Sequence, residues 1–274
     1  MEYTSHENVE DTGDGGLAGW LPSVGGHAMD GYPDPDASSR MPAELGTPDS
    51  RTVSAGCHCG AVQFTVRPAD FDPEASRYPH SGFSDLLVPF AATDPAITAN
   101  PDNVKWWLRP AKEHNNGDRS SSLCSYSPTR WLAGTCACRS CRLATGFEIQ
   151  TWAFVPRLCI ILSDGQPLAF DQEGKNRVLP DLSTYRSSPG VERNFCGRCG
   201  ATVFWHDKWR PDVIDVSAGL LQSGDGAGCR VEFLLDWCTS RVSFVEEAPR
   251  ERHGQSALRG STLADSLEDG MKRR

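Results

Sequence analysis

The stretch Arg193-Asn194-Phe195-Cys196-Gly197-Arg198-Cys199-Gly200-Ala201-Thr202-Val203-Phe204-Trp205 is a Cys-x-x-Cys-Gly turn running directly into an apolar strand. In such a turn two thiolates converge on one ion, and the small glycine lets backbone N–H groups point at sulfur. Upstream, Cys57-His58-Cys59-Gly60 repeats the arrangement as Cys-x-Cys before the strand Ala61–Val66. In extended chain both cysteines of that pair share a face, because the strand period is two. Between them lies a third cluster, Cys136-Ala137-Cys138-Arg139-Ser140-Cys141.

Ligand counting divides these seven sulfurs. One Cys-x-Cys and one Cys-x-x-Cys supply the four thiolates of a closed, structural zinc site. The central Cys-x-Cys-x-x-Cys supplies three and leaves a fourth position open, as catalytic sites do. Spacing alone also permits other pairings of the clusters. Zinc is preferred over iron–sulfur for compact thiolate sets of this kind. The expectation is therefore two Zn(2+) per chain. His58 sits between the cysteines of an extended pair and points to the opposite face. Cys159 reads as a core thiol, and Cys124, Cys229 and Cys238 as plain thiols.

Outward from the cysteines, the chain reads as short strands with Gly and Pro punctuation: Ala61–Val66, Ile149–Val155, Leu158–Leu162, Ala201–Trp205, Val213–Ser217 and Val231–Leu235. Ile149–Val155 and Leu158–Leu162 are expected to pair across Pro156. The fold class is mainly β. Neither a dinucleotide-binding glycine motif nor a phosphate-binding loop is present, which argues against nucleotide enzymes. Residues 1–53 are rich in Gly, Pro, Asp and Ser and read as a disordered acidic tail. The zinc-binding domain spans 54–247, with an insertion over about 68–130. Residues 248–274 read as a polar C-terminal tail, with a short helix over 256–274.

Charge follows the same division. The net charge is −9 over 274 residues. Residues 1–56 hold ten acids and two bases, so they contribute −8 and leave −1 for the remainder. No broad basic face is available for nucleic acid, and no apolar run is long enough to span a membrane. The first residues have neither the basic nor the apolar region of a secretory signal. A cytoplasmic location is expected, where eleven cysteines point to metal or redox chemistry more than to disulfides.

The segments GCHCGAVQFTV (56–66), CACRSCRLATGFEIQTWAFVP (136–156) and RNFCGRCGATVFW (193–205) resemble the glutathione-dependent formaldehyde-activating enzyme / centromere protein V family. Tyr185–Gly190 and Ser217-Ala218-Gly219-Leu220 are also similar. The resemblance implies an Mss-four-like zinc-binding β-sheet fold. It implies a structural zinc on Cys57, Cys59, Cys196 and Cys199, and a catalytic site at Cys136, Cys138 and Cys141 where glutathione adducts are handled. The implied activity is that of a carbon–sulfur lyase joining glutathione, as co-substrate, to a small carbonyl compound, as in S-hydroxymethylglutathione formation. A second reading, from the centromere protein V side of the family, is a non-catalytic zinc-binding interaction protein.

Two departures mark this chain. Ala137 stands where the family often has His, and residues 60–135 separate clusters that are usually close. Arg139, Arg142 and Arg193 lie in or beside cysteine motifs and are candidates for holding the carboxylates of glutathione. Each has a plainer alternative as a solvated charge or an N–H···S contact. In the insertion, Phe83, Leu86, Leu87, Val88, Phe90, Trp106, Trp107 and Leu108 are expected to pack on the domain. There they either wall a substrate pocket beside Cys136 or cover a sheet face.

Overall fold

The computed structural model describes residues 3–9, 12–31, 51–68, 130–170, 179–208, 213–223, 228–239 and 241–273. The apolar insertion residues named above lie outside the described residues. Thirteen strands and two α-helices are described, so the mainly β reading holds.

A small hairpin, β1 (Ser23–Val24) and β2 (His27–Ala28), precedes the main sheets. β3 (Val53–Gly56) and β4 (Gln63–Val66) form the first cysteine hairpin. β5 (Trp131–Cys136), the helix α1 (Arg139–Thr145) and β6 (Gln150–Pro156) follow, then β7 (Ile160–Ile161). The chain continues through β8 (Leu182–Ser188), β9 (Val191–Cys196), β10 (Thr202–Asp207) and β11 (Val213–Ser217). It ends with β12 (Leu221–Gln222), β13 (Leu235–Trp237) and the long helix α2 (Gly254–Lys272). One sheet has seven strands in the order β13-β5-β6-β11-β10-β9-β8, and a second has four in the order β12-β3-β4-β7.

The two sheets meet in one apolar cluster. Phe64, Val66 and Ile160 from the smaller sheet join Ala133, Ala153, Val155, Phe204, Ile214 and Val216 from the larger. Phe64 and Phe204 touch with ring centroids 5.0 Å apart. The larger sheet is also covered on its other face, where Trp152, Phe154 and Val213 are buried with Cys136 and Cys141. This double burial explains why Gln150–Pro156 is apolar on both faces of its pleat instead of alternating with polar residues.

Several sequence expectations are corrected in detail. β6 and β7 do not pair with each other: β6 lies between β5 and β11, while β7 pairs with β4. A turn of 3-10 helix at Arg157–Cys159 redirects the chain from one sheet to the other. Val231–Leu234 is not a strand but a turn closed by Leu234 N–H and Leu235 N–H bonds to the Val231 carbonyl. Val231 and Leu234 are apolar because that turn is buried. Cys238, expected as a plain thiol, is disulfide-bonded.

The termini form a third packed unit. The expected C-terminal helix forms over Gly254–Lys272, and Leu263, Ala264, Leu267 and Met271 bury one stripe at helical spacing. That stripe packs against Trp20, Val24 and Met29 from the N-terminal segment. Composition alone assigned both segments to tails, yet residues 12–31 are fastened to the domain. Buried Arg230 donates through Nη1 to the carbonyls of Asp14 and Gly16, at 2.6 and 2.9 Å, and through Nε to Glu232 at 2.7 Å. Gly270 allows the close approach, since a Cβ there would collide with the Trp20 carbonyl.

Candidate metal centres

The first cysteine set is assembled by two turns of the same design. After β3, Gly60 N–H bonds the Cys57 carbonyl at 3.0 Å, and Gly60 adopts φ 74°. After β9, Gly200 N–H bonds the Cys196 carbonyl at 2.8 Å with φ 77°. The left-handed backbone at both positions favours glycine. The turns bring four sulfurs, from Cys57, Cys59, Cys196 and Cys199, within 4.8 Å of one another.

Cys59 Sγ lies 3.6 Å from both Cys57 Sγ and Cys196 Sγ. A zinc tetrahedron with bonds of about 2.3 Å has edges of about 3.8 Å, whereas a disulfide requires about 2.0 Å. The set therefore fits a tetrahedral metal ion. N–H groups also turn toward sulfur: Val62 N–H reaches Cys57 Sγ at 3.3 Å. Backbone bonding, first at Ala201 and then at Cys59, holds the Cys199 thiol down at about 6. His58 is exposed and outside the ligand set. Arg198 is paired bidentately with Asp181, at 2.7 and 3.0 Å, which ties this turn to the chain before β8.

The second set is the loop between β5 and α1. Cys136 ends β5, Cys138 caps α1, and Cys141 sits in its first turn, so three sulfurs fall within 4.8 Å. The Cys138 sulfur accepts the Cys141 N–H at 3.2 Å, which fixes the loop against the helix N-terminus. Gly146, at φ 74°, closes the other end of α1. The thiols of Cys136 and Cys138 bonding to Cys141 hold Cys141 well below the ordinary thiol range, helped by Arg193. Bonding to Cys138 first, and then to Cys141, pushes the Cys136 thiol well above it, with burial adding to the effect. Three crowded sulfurs of this kind shed all their protons only when a cation replaces them. The donor set thus fits a metal ion with three protein ligands.

Arg193 is the one sequence-flagged arginine inside this second site. It is only 5% exposed. Its Nη2 donates to Ser140 Oγ at 3.0 Å and approaches Cys141 Sγ at 3.6 Å. Strand alternation puts Arg193 and Cys196 on opposite faces of β9, so one strand serves both cysteine sets. Arg139 and Arg142 turn elsewhere. The Arg139 guanidinium pairs with Glu251, and Arg142 Nη2 reaches the Arg250 carbonyl at 3.3 Å.

Cross-strand register places beside Arg193 residues to which sequence reading gave no role. Tyr185, Arg193, Trp205, Asp215 and Phe154 form one row across β8, β9, β10, β11 and β6. Gln150 lies opposite Cys136 and donates to Ser217 Oγ at 3.0 Å. Only the pairing of distant strands makes these residues neighbours, and no local motif marks them. The segment after β13 also holds the cysteine loop. Ala137 N–H bonds the Ser243 carbonyl at 2.9 Å, and Arg139 N–H bonds Glu247 Oε2 at 3.0 Å.

The fold and these two cysteine sets define a β-sheet protein built around thiolate groups that can hold metal ions. Residues 124–239 match the family model described as glutathione-dependent formaldehyde-activating enzyme. The match covers Cys136, Cys138, Cys141, Cys196 and Cys199 but not Cys57 or Cys59. No curated protein matches the chain. Among the described residues, no helix is long and apolar enough to cross a membrane.

Proposed function

We propose that the chain is a zinc-dependent enzyme of the carbon–sulfur lyase type, handling adducts between a thiol, glutathione, and a carbonyl compound. The observation that carries this reading is the three-sulfur set of Cys136, Cys138 and Cys141, with a buried arginine against one of its sulfurs. Three protein ligands leave one coordination position for substrate, whereas the four-sulfur set is closed. Cys57, Cys59, Cys196 and Cys199 accordingly hold a structural ion that joins the two sheets.

A zinc ion bound by the three thiolates supplies a Lewis-acidic centre that favours thiolate over thiol. The chain's own residues do the rest. Cys138 and Cys141 present their sulfurs from a helix N-terminus, and the C-terminal segment fixes that loop through Ser243 and Glu247. Trp152 and Phe154, buried beside Cys136 and Cys141, keep bulk water from the floor of the site. Arg139 and Arg142, on α1, are the proposed contacts for the carboxylates of glutathione. Arg193 is too enclosed for that task and faces the reacting atoms.

The test is glutathione binding by the metal-loaded protein, followed by adduct formation with formaldehyde and with a larger aromatic aldehyde. Saturable binding that Cys138→Ser abolishes supports the reading. A metal-loaded protein that binds no thiol rejects it and leaves the non-catalytic interaction protein.

A further inference from the structure

We infer that Arg193 binds the oxygen of the thiol–carbonyl adduct, so that the carbonyl reacts between the metal-binding sulfurs and this guanidinium. The inference rests on the thiol–carbonyl reading above and assigns the atom that recognises the second substrate.

A guanidinium has five N–H donors fixed in one plane. In Arg193 only Nη2 is used, for Ser140 Oγ and Cys141 Sγ. Nε and Nη1 are buried without a partner among the described residues. Leaving such donors unmet costs about 1–3 kcal/mol each, more for a charged group. A purely structural counter-ion for Cys141 would not need to strand three N–H groups. The fork is planar and Nη2 touches the cysteine loop at Ser140 and Cys141, so the idle donors belong to a guanidinium anchored on that loop. They form a preorganised anion receptor in a water-poor site, the arrangement that stabilises a developing oxyanion.

The chemistry produces such a charge. The thiolate sulfur forms the new C–S bond, and the carbonyl π pair moves onto oxygen. That oxygen then takes up a proton, equivalent to the one the thiol released. Thiol and aldehyde thus give a hemithioacetal without oxidant or reductant, and the reverse steps split it. Negative charge passes from sulfur to oxygen, and Arg193 contacts the sulfur side through Nη2 while offering its remaining donors to the oxygen. The exposed Ser140 accepts from Nη2 and fixes that end of the guanidinium.

The experiment compares two probes by calorimetry on the metal-loaded protein: S-methylglutathione, and S-carboxymethylglutathione, which places an oxygen anion near the adduct oxygen. Wild type is expected to prefer the carboxymethyl compound by at least about tenfold, the value of one charge-assisted hydrogen bond. Arg193→Gln, with its metal content checked by elemental analysis, should remove that preference while still binding S-methylglutathione. An unchanged preference in a metal-replete Arg193→Gln protein overturns the assignment. If that variant loses metal, Arg193→Lys keeps a charge beside Cys141 without the fork, and retained metal with a lost preference supports the inference. Loss of metal from both variants assigns Arg193 to holding the thiolates and overturns it. Wild type that binds both probes equally rejects the role of Arg193 alone. Wild type that binds neither rejects the thiol–carbonyl reading, and this inference falls with it.

Discussion

Trp20→Ala should destabilise the protein by about 3 kcal/mol, although Trp20 lies in a segment whose composition reads as a tail. The side chain is 2% exposed and meets Trp237 edge-on at a centroid distance of 5.3 Å. The Arg230 guanidinium carbon sits 5.2 Å from its ring, and Leu263, Leu267 and Met271 share its cluster. Truncating a buried Trp or Phe to Ala costs about 3–5 kcal/mol. Its Nε1 has no partner among the described residues, so the substitution also removes an unmet donor and recovers about 1 kcal/mol. With a urea m-value of about 1–3 kcal/mol/M, the midpoint should fall by about 1–3 M. Urea titration followed by both tryptophan fluorescence and far-ultraviolet circular dichroism measures this. The same cluster contains Ala137, which lies within the three-cysteine loop, so that centre should bind metal more weakly in the variant. A loss below about 1 kcal/mol would refute the reasoning, because it would mean that the N-terminal segment is not packed on α2. A chain starting at Arg51 should show the larger form of the same defect, since it uncovers the whole Leu263–Met271 stripe.

Purified protein should carry two zinc ions. Cys199→Ser should lower thermal stability, since its ion links both sheets, while Cys138→Ser should lose about one ion with the fold retained; equal loss of stability in both would remove the division between the centres. Cys229 should resist alkylation: although the residue is exposed, packing around its sulfur and then the Asp14 carboxylate push its thiol to about 12. At pH 8 its thiolate fraction is then about one part in ten thousand. Asp14→Asn keeps the shape, removes the charge, and should raise the labelling rate of Cys229, mapped by mass spectrometry, by about tenfold per unit of lowered pKa. No change in rate would show that Asp14 does not control this thiol.

The seven clustered cysteines were legible because Cys-x-Cys and Cys-x-x-Cys turns are local. Spacing, a following glycine and an adjacent strand are all contained within a few residues, as at Cys196–Gly200 and Cys57–Gly60. Strands such as Val213–Ser217 were legible for the same reason, since their apolar pattern reports burial directly. Spacing left the pairing of the clusters open. Tertiary structure decided it by bringing the turn after β3 against the turn after β9, 137 residues away in sequence. It also decided the separate fates of the three arginines. Arg193 is enclosed because its strand is covered on both faces, whereas Arg139 and Arg142 reach from α1 to Glu251 and Arg250. The row of Arg193, Trp205, Asp215 and Phe154 exists only through strand register, which no single segment encodes. Most of all, composition misread the termini. Segments 12–31 and 254–272 each have too few apolar residues to form a core alone. Together they bury Trp20 against Leu263, Leu267 and Met271, and a core shared between two distant pieces of chain is visible only once they have met.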